Sequence, residues 1–286
     1  MSEPAIAILP YGMSLGPKQA KLSLDQLTWP LGHPAHLKDG TLADLGKDDH
    51  LIAYPKTKMH VLPSFGTKAQ ISLIMGEPSF IHARHLALLR VTYRRFFRIL
   101  SFNEDLLAQI PNGIFFPFGT TWVPEWRSLD TTKTKAMSLI ASAKQDTQGH
   151  RLRHSMVEKV RKSGLDVDVM GRGYIPFADK ADGLAPYRFS IVIENMRENN
   201  YFSEKLVDAV LCNTVPIYWG CPNLDRFIDT RGIIQCDSEE AMMNAVSSIT
   251  QAEYDARLPF LKEVQPTLDA FCDLEKRAAE AIRDAL

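Results

Sequence analysis

Residues 187–223 read YRFSIVIENMRENNYFSEKLVDAVLCNTVPIYWGCPN. The apolar run at 189–193 stops at two polar residues, Glu194 and Asn195, as a buried strand does where it leaves a sheet. A polar loop then reaches Ser203, whose hydroxyl suits an N-cap, and the pattern predicts a helix over 203–211. A second apolar run at 215–219 follows within a few residues. Strand, helix and strand at this spacing form one crossover unit, which requires parallel strands. The N-terminus of the helix presents unpaired amides and a partial positive charge, which favour phosphate. Lys205 adds a full charge beside those amides. The same residues also fit a plain capped helix with solvated charges.

The alternation extends outward in both directions. Upstream, strands are predicted at 5–9, 50–53, 70–75, 97–101, 113–116, 136–141 and 166–170, and downstream at 232–235. Helical spacing marks 79–91 and 149–162, Asn103 stands as the cap of a short helix, and helices run from 236 to the end. Residues 119–135, rich in Thr, Trp and Pro, read as a loop or linker. No repeat and no low-complexity tract interrupts the series. Alternation on both sides of one linker implies an α/β protein with two Rossmann-like, parallel-sheet domains facing an interdomain cleft. The expected domains are residues 1–127 and 128–286, with the last helix a candidate to pack back on the first domain.

Composition narrows the function. The 286 residues include 33 Lys and Arg against 34 Asp and Glu, a formal charge of −1, and 45% are hydrophobic. That balance argues against nucleic acid as the main partner, because a phosphate backbone selects strongly basic surfaces. The cysteines, Cys212, Cys221, Cys236 and Cys272, form no CxxC pair and are expected as reduced thiols. The start, MSEPAIAILPYG, lacks the basic residues and apolar core of a signal peptide. No stretch approaches the roughly 18 apolar residues of a membrane span. The expectation is a soluble, cytoplasmic protein. His82 and His85 are spaced HxxH, but no neighbouring acid or thiol completes a metal-ligand set. Gly171-Arg172-Gly173 is too short for a dinucleotide fingerprint. The run RVTYRRFFRIL, residues 90–100, reads as a helix face followed by a buried strand, and alternatively as a contact for an anionic acceptor or a membrane surface.

The 187–223 stretch resembles the donor motif of the α-1,3-fucosyltransferases, glycosyltransferase family 10. The matching residues are Glu194-Asn195, then Tyr201-Phe202-Ser203-Glu204-Lys205, then Val215-Pro216-Ile217-Tyr218-Trp219-Gly220. A weaker match places Arg153 at the start of the first helix of the donor domain, with Met156 and Glu158 in register and Arg151 as the alternative. A third match, Met75-Gly76-Glu77-Pro78 after an apolar strand, is similar to a turn of the family's acceptor domain.

The resemblance implies a GT-B-like fold and a glycosyltransferase that holds its donor through Arg153, Glu194, Asn195, Tyr201, Ser203, Glu204 and Lys205. It implies Glu77 as general base and Arg153 and Lys205 as cations that stabilise the departing diphosphate. It implies inversion of configuration and no metal or other cofactor, since no DxD pair stands beside the motif. The donor it points to is GDP-fucose, and the acceptor an oligosaccharide, glycolipid or polysaccharide. Another nucleotide sugar, a non-catalytic nucleotide-sugar-binding protein, and a phosphate-binding regulatory module are the alternatives.

Overall fold

The computed structural model describes residues 3–286. The chain forms two compact units, one running to Phe118 and rejoined by Leu274–Leu286, the other spanning Gly119–Asp273. In the first unit, β1 (Ile6–Ile8), β2 (His50–Ala53), β3 (Gln70–Met75), β4 (Ile99–Ser101) and β5 (Gly113–Phe115) lie side by side in chain order, all parallel. Both faces of this sheet are covered, so its strands are mostly apolar, with His50, Ser72 and Ser101 buried among the apolar residues. Ala7, Leu51, Leu73 and Ile99 enter one core, shared with Leu89 of α1 (Ser79–Thr92). Ile6, Ile8, Ile52, Ile74 and Leu100 enter the other. Asn103 caps α2 (Glu104–Leu107), its side chain accepting the Leu106 amide at 2.8 Å.

The second unit starts with β6 (Lys135–Ile140), α3 (Gln148–Ser163) and β7 (Val167–Met170). It continues through β8 (Tyr187–Ile193), α4 (Glu204–Leu211), β9 (Val215–Trp219), β10 (Ile234–Gln235), α5 (Glu239–Ser248) and α6 (Gln251–Cys272). Its sheet order is β10-β9-β8-β6-β7, again all parallel. The chain steps from β6 outward to β7, then crosses back to β8 on the other side of β6. This reversal opens a crevice at the carboxyl ends of β6 and β8, the usual ligand position in such sheets. The first sheet has no reversal. Ser138 and Ser190, paired across β6 and β8, are buried polar residues of this sheet. The Ser138 hydroxyl donates to the Gly183 carbonyl at 2.6 Å, fixing the turn Lys180–Gly183 beneath the crevice.

The last helix, α7 (Leu274–Arg283), packs Leu274, Ala278, Ala279 and Ile282 on the second face of the first sheet. The predicted strands and helices are all present, with ends moved by a few residues; 97–101 shortens to Ile99–Ser101 and 232–235 to Ile234–Gln235. Residues 119–134 contain no strand or α-helix, yet they do not hang free as a linker. The Thr121 hydroxyl and the Trp122 amide donate to Asp208 at 2.6 and 3.1 Å. The Lys133 ammonium donates to the carbonyls of Ala185 and Cys212, both at 2.7 Å. These bonds place the division at Phe118 rather than at 127.

His82 and His85 are packing residues of the first unit. His60 Nε2 lies 3.0 Å from His85 Nδ1, and its other nitrogen lies 2.8 Å from the Thr92 hydroxyl. Among the described residues no group of three or more His, Cys, Asp or Glu is arranged to hold a metal ion. Burial first, and the His85 ring second, push His60 and His82 down to about 4. The unfolded chain takes up these protons near pH 6.5, whereas the folded unit resists them until about pH 4, so stability falls as pH drops through that window. His60 alone is expected to leave the protein on the order of 2 kcal/mol less stable at pH 5 than at pH 7. Urea midpoints at the two pH values check this, and an unchanged midpoint refutes it.

Candidate active site

The crevice at the reversal of the second sheet is a cavity of about 590 Å³. Ile140 to Ser142 after β6, Gly171 and Arg172 after β7, and Ile193 and Asn195 at the end of β8 form its floor. Lys144, Arg153, Arg172, Lys180 and Lys205 reach its wall, against one carboxylate, Glu204. Trp122 and Phe177 supply apolar surface. A wall with this excess of cations is built for an anion.

Glu194 organises the α4 side. It is 0% exposed, and its two oxygens accept the Ser203 amide at 2.8 Å and the Ser203 hydroxyl at 2.6 Å. Lys205 Nζ stands 3.8 Å from Glu194, 2.9 Å from Glu204 and 3.1 Å from the Ser203 hydroxyl. Burial pushes the Glu194 carboxyl up. Burial opposes charge on Glu204 as well, but Lys205 and Lys180 outweigh it and take this carboxyl down to about 2. Burial likewise works against the Lys205 ammonium, and Glu204 and Glu194 more than compensate, so it stays above its ordinary value. Lys205 is therefore a fixed cation, with about a quarter of its side chain (24%) exposed to receive a ligand.

On the opposite wall, α3 starts at Thr147, whose side chain accepts the His150 amide at 3.2 Å. Gly149 allows the close approach to β8. Its amide donates to the Asn195 carbonyl at 2.9 Å, and a Cβ there would stand 1.7 Å from the Glu194 carbonyl oxygen. One turn on, Arg153 is 5% exposed. Its Nε and Nη2 donate to the Ile193 carbonyl at 3.0 and 2.5 Å, and Nη2 also reaches Asn195 Oδ1 at 3.0 Å. Arg151 is exposed and bonds the Gln145 carbonyl, so Arg153 is the arginine of the wall.

The expected residues divide into two layers. Arg153, Asn195, Glu204 and Lys205 line the cavity. Glu194, Tyr201 and Ser203, expected as donor contacts, stand behind it at 0%, 2% and 1% exposure, because Glu194 spends its oxygens on Ser203 and Tyr201 is enclosed in the core. Glu77 belongs to the first unit, in the turn between β3 and α1. The ring of Phe118 fills the space where Gly76 lacks a Cβ, 2.4 Å from the position that atom would take, which explains the glycine before Glu77.

Sequence reasoning missed Lys180 and Asp208. Lys180 Nζ lies 2.6 Å from Asp208, 3.9 Å from Glu204 and 4.9 Å from the centre of the Trp122 ring. Asp208 is 0% exposed and also accepts from Thr121. The available signal was the Asp-x-x-Asp pattern of Asp179 and Asp182, which caps the turn carrying Lys180. Gly149→Ala is the direct test of this assembly. The clash with Glu194 is expected to cost about 3 kcal/mol or more, since overpacked cores rarely relax around backbone. Urea denaturation measures it, and a cost under about 1 kcal/mol refutes the close packing of α3 on β8.

The sequence profile described as glycosyltransferase family 10 (fucosyltransferase) C-term matches residues 130–257. A putative fucosyltransferase-like protein of Arabidopsis thaliana is 29% identical over 129 residues, 44% of this chain and 24% of that protein. The alpha-(1,3)-fucosyltransferase FucT of Helicobacter pylori is 32% identical over 56 residues, 20% of this chain and 12% of that protein. A 3-galactosyl-N-acetylglucosaminide 4-alpha-L-fucosyltransferase of Bos taurus is 28% identical over 148 residues, 48% of this chain and 39% of its own. The chain thus spans less than half the length of these curated relatives. Among solved structures, an alpha1,3-fucosyltransferase superposes with a TM-score of 0.54 at 17% identity, covering 82% of this chain and 78% of that one. The same kind of enzyme with GDP-fucose gives 0.50 at 16% identity, covering 80% and 78%. Over residues 130–257 this chain is thus similar to the family 10 fucosyltransferases, and its fold is that of the GT-B glycosyltransferases.

Proposed function

We propose that this protein transfers fucose from GDP-fucose to a hydroxyl of a glycan or glycolipid, by single displacement with inversion and without a metal ion. The observation that carries the reading is the cationic cavity at the β6–β8 reversal, where Lys205 stands in the first turn of α4 and Arg153 in the second turn of α3, within the segment that matches the family 10 profile. The anion that such a wall suits is the diphosphate of a nucleotide sugar. GDP-fucose is the ligand of one solved α1,3-fucosyltransferase of the same fold.

In the proposed reaction the acceptor oxygen bonds to the anomeric carbon as the bond from that carbon to the β-phosphate oxygen breaks. Negative charge grows on the departing diphosphate, where Lys205 and Arg153 stabilise it. Glu77 takes the acceptor proton. Cationic side chains thereby fill the role that a divalent ion plays in other transferases.

Thermal stabilisation by nucleotides and nucleotide sugars in the presence of a chelator tests the donor. A ligand at a hundred times its Kd adds roughly 2.7 kcal/mol. Selective response to GDP and GDP-fucose is expected. A response to UDP compounds alone discards fucose, and silence across the panel sinks the reading. Two variants test the roles. Lys205→Ala is expected to lower kcat about 10²- to 10³-fold with a smaller change in donor KM. Glu77→Gln is expected to lower kcat about 10²- to 10⁴-fold while the shift with GDP-fucose persists, as Glu77 is no part of the cavity wall. Full turnover by either variant removes its residue from the mechanism.

A further inference from the structure

Residues 50–103 contain eight Lys or Arg and a single carboxylate, Glu77. The rest of the chain, with 25 Lys and Arg against 33 Asp and Glu, is strongly acidic, so the near-neutral total hides a segregated basic surface. Helix α1 lies within the basic stretch and has no acidic residue. Its inward side buries Leu89 and holds His85 against His60. Its outward side is not the polar stripe a surface helix normally shows. Phe80, Ala83, Ala87 and Val91 follow one another there at spacings of three and four residues, all exposed, Phe80 at 62% and Val91 at 77%. Arg84 and Arg90, both exposed, border this apolar stripe on its two sides. Val61, 75% exposed, follows the turn Thr57–His60 that packs on α1 through the bonds of His60 to His85 and Thr92.

An apolar stripe with a cationic border needs a partner that takes both. A second copy of this chain docked through the same face would cover the apolar residues but bring a like charge against Arg84 and Arg90. A nucleic acid would neutralise the arginines and leave Phe80 and Val91 against phosphate. An anionic bilayer satisfies both, with lipid headgroups for the guanidinium groups, acyl chains for Phe80 and Val91, and arginine stems lying along the boundary. Among the described residues no helix is long and apolar enough to cross a membrane. We propose that the outward face of α1, with Val61, docks the protein on an anionic phospholipid surface. This is independent of the reaction proposed above.

Co-sedimentation of the full chain with vesicles of phosphatidylcholine, with and without a quarter of phosphatidylglycerol, tests it. Binding to the anionic vesicles at low salt is expected, weakening as salt shortens the electrostatic range. Arg84→Glu with Arg90→Glu is expected to lower the partition coefficient at least about tenfold, on the basis of about fivefold per arginine near a charged surface. Phe80→Ser with Val91→Ser is expected to lower it by about tenfold or more. A Tm within a few degrees of the parent shows that each variant is folded. No sedimentation of the parent with anionic vesicles overturns the proposal, as does equal partition of parent and both variants. Duplex DNA bound as tightly by the Phe80/Val91 variant as by the parent assigns the face to a polyanion instead. A dimer that the Phe80/Val91 variant dissociates assigns it to a second copy.

Discussion

The carboxylate of Glu194, held without solvent at the end of β8, accepts both the amide and the hydroxyl of Ser203. These two bonds fix where α4 begins and therefore where its positive end points. From there an alternating row of charges runs along the helix: Glu194, Lys205, Glu204, Lys180, Asp208. Successive members are 3.8, 2.9, 3.9 and 2.6 Å apart. Each is too buried to be left alone, because an isolated charge at such depth costs several kcal/mol. The row stands or falls together, and that coupling keeps Lys205 charged at the cavity while its acidic partners lie in or behind the wall.

Topology accounts for where this row sits. Both sheets are parallel and both end their strands in loops, but only the second reverses direction, between β7 and β8. The reversal separates the loops after β6 and β8 and leaves the space that α3 and α4 then line. Gly149 and Arg153 close one side by bonding to the last residues of β8, so the arginine is locked by backbone before any ligand arrives. Such locking lowers the ordering cost of binding.

Much of this was legible in the sequence, for physical reasons. The runs at 50–53, 70–75 and 215–219 match the strands to the residue, because strands covered on both faces are apolar at most positions. Ser203 announced the start of α4 by its capping chemistry, and Arg153, Asn195, Glu204 and Lys205 line one cavity. What stayed hidden depends on distance in three dimensions. Glu194 and Tyr201 carry polar groups at ligand-like positions, and only burial reveals that they support the wall from behind. Lys180 and Asp208 are 28 residues apart in a stretch whose charges look solvated, and they meet only because Ser138 ties down the turn at Gly183. Residues 119–134 have loop composition, yet Thr121, Trp122 and Lys133 bind them to the second unit through groups that periodicity does not register.

The helix that closes the second face of the first sheet follows the second unit in the chain. Leu274, Ala278, Ala279 and Ile282 cover Ile6, Ile8, Ile52, Ile74 and Leu100, and the whole second unit is translated between them. During synthesis the first sheet therefore emerges with one apolar face bare, and keeps it bare until the second unit has left the ribosome. Contacts of such long sequence separation form slowly and leave the waiting face prone to aggregation. The second unit, continuous in sequence, has no such dependence and is able to fold first.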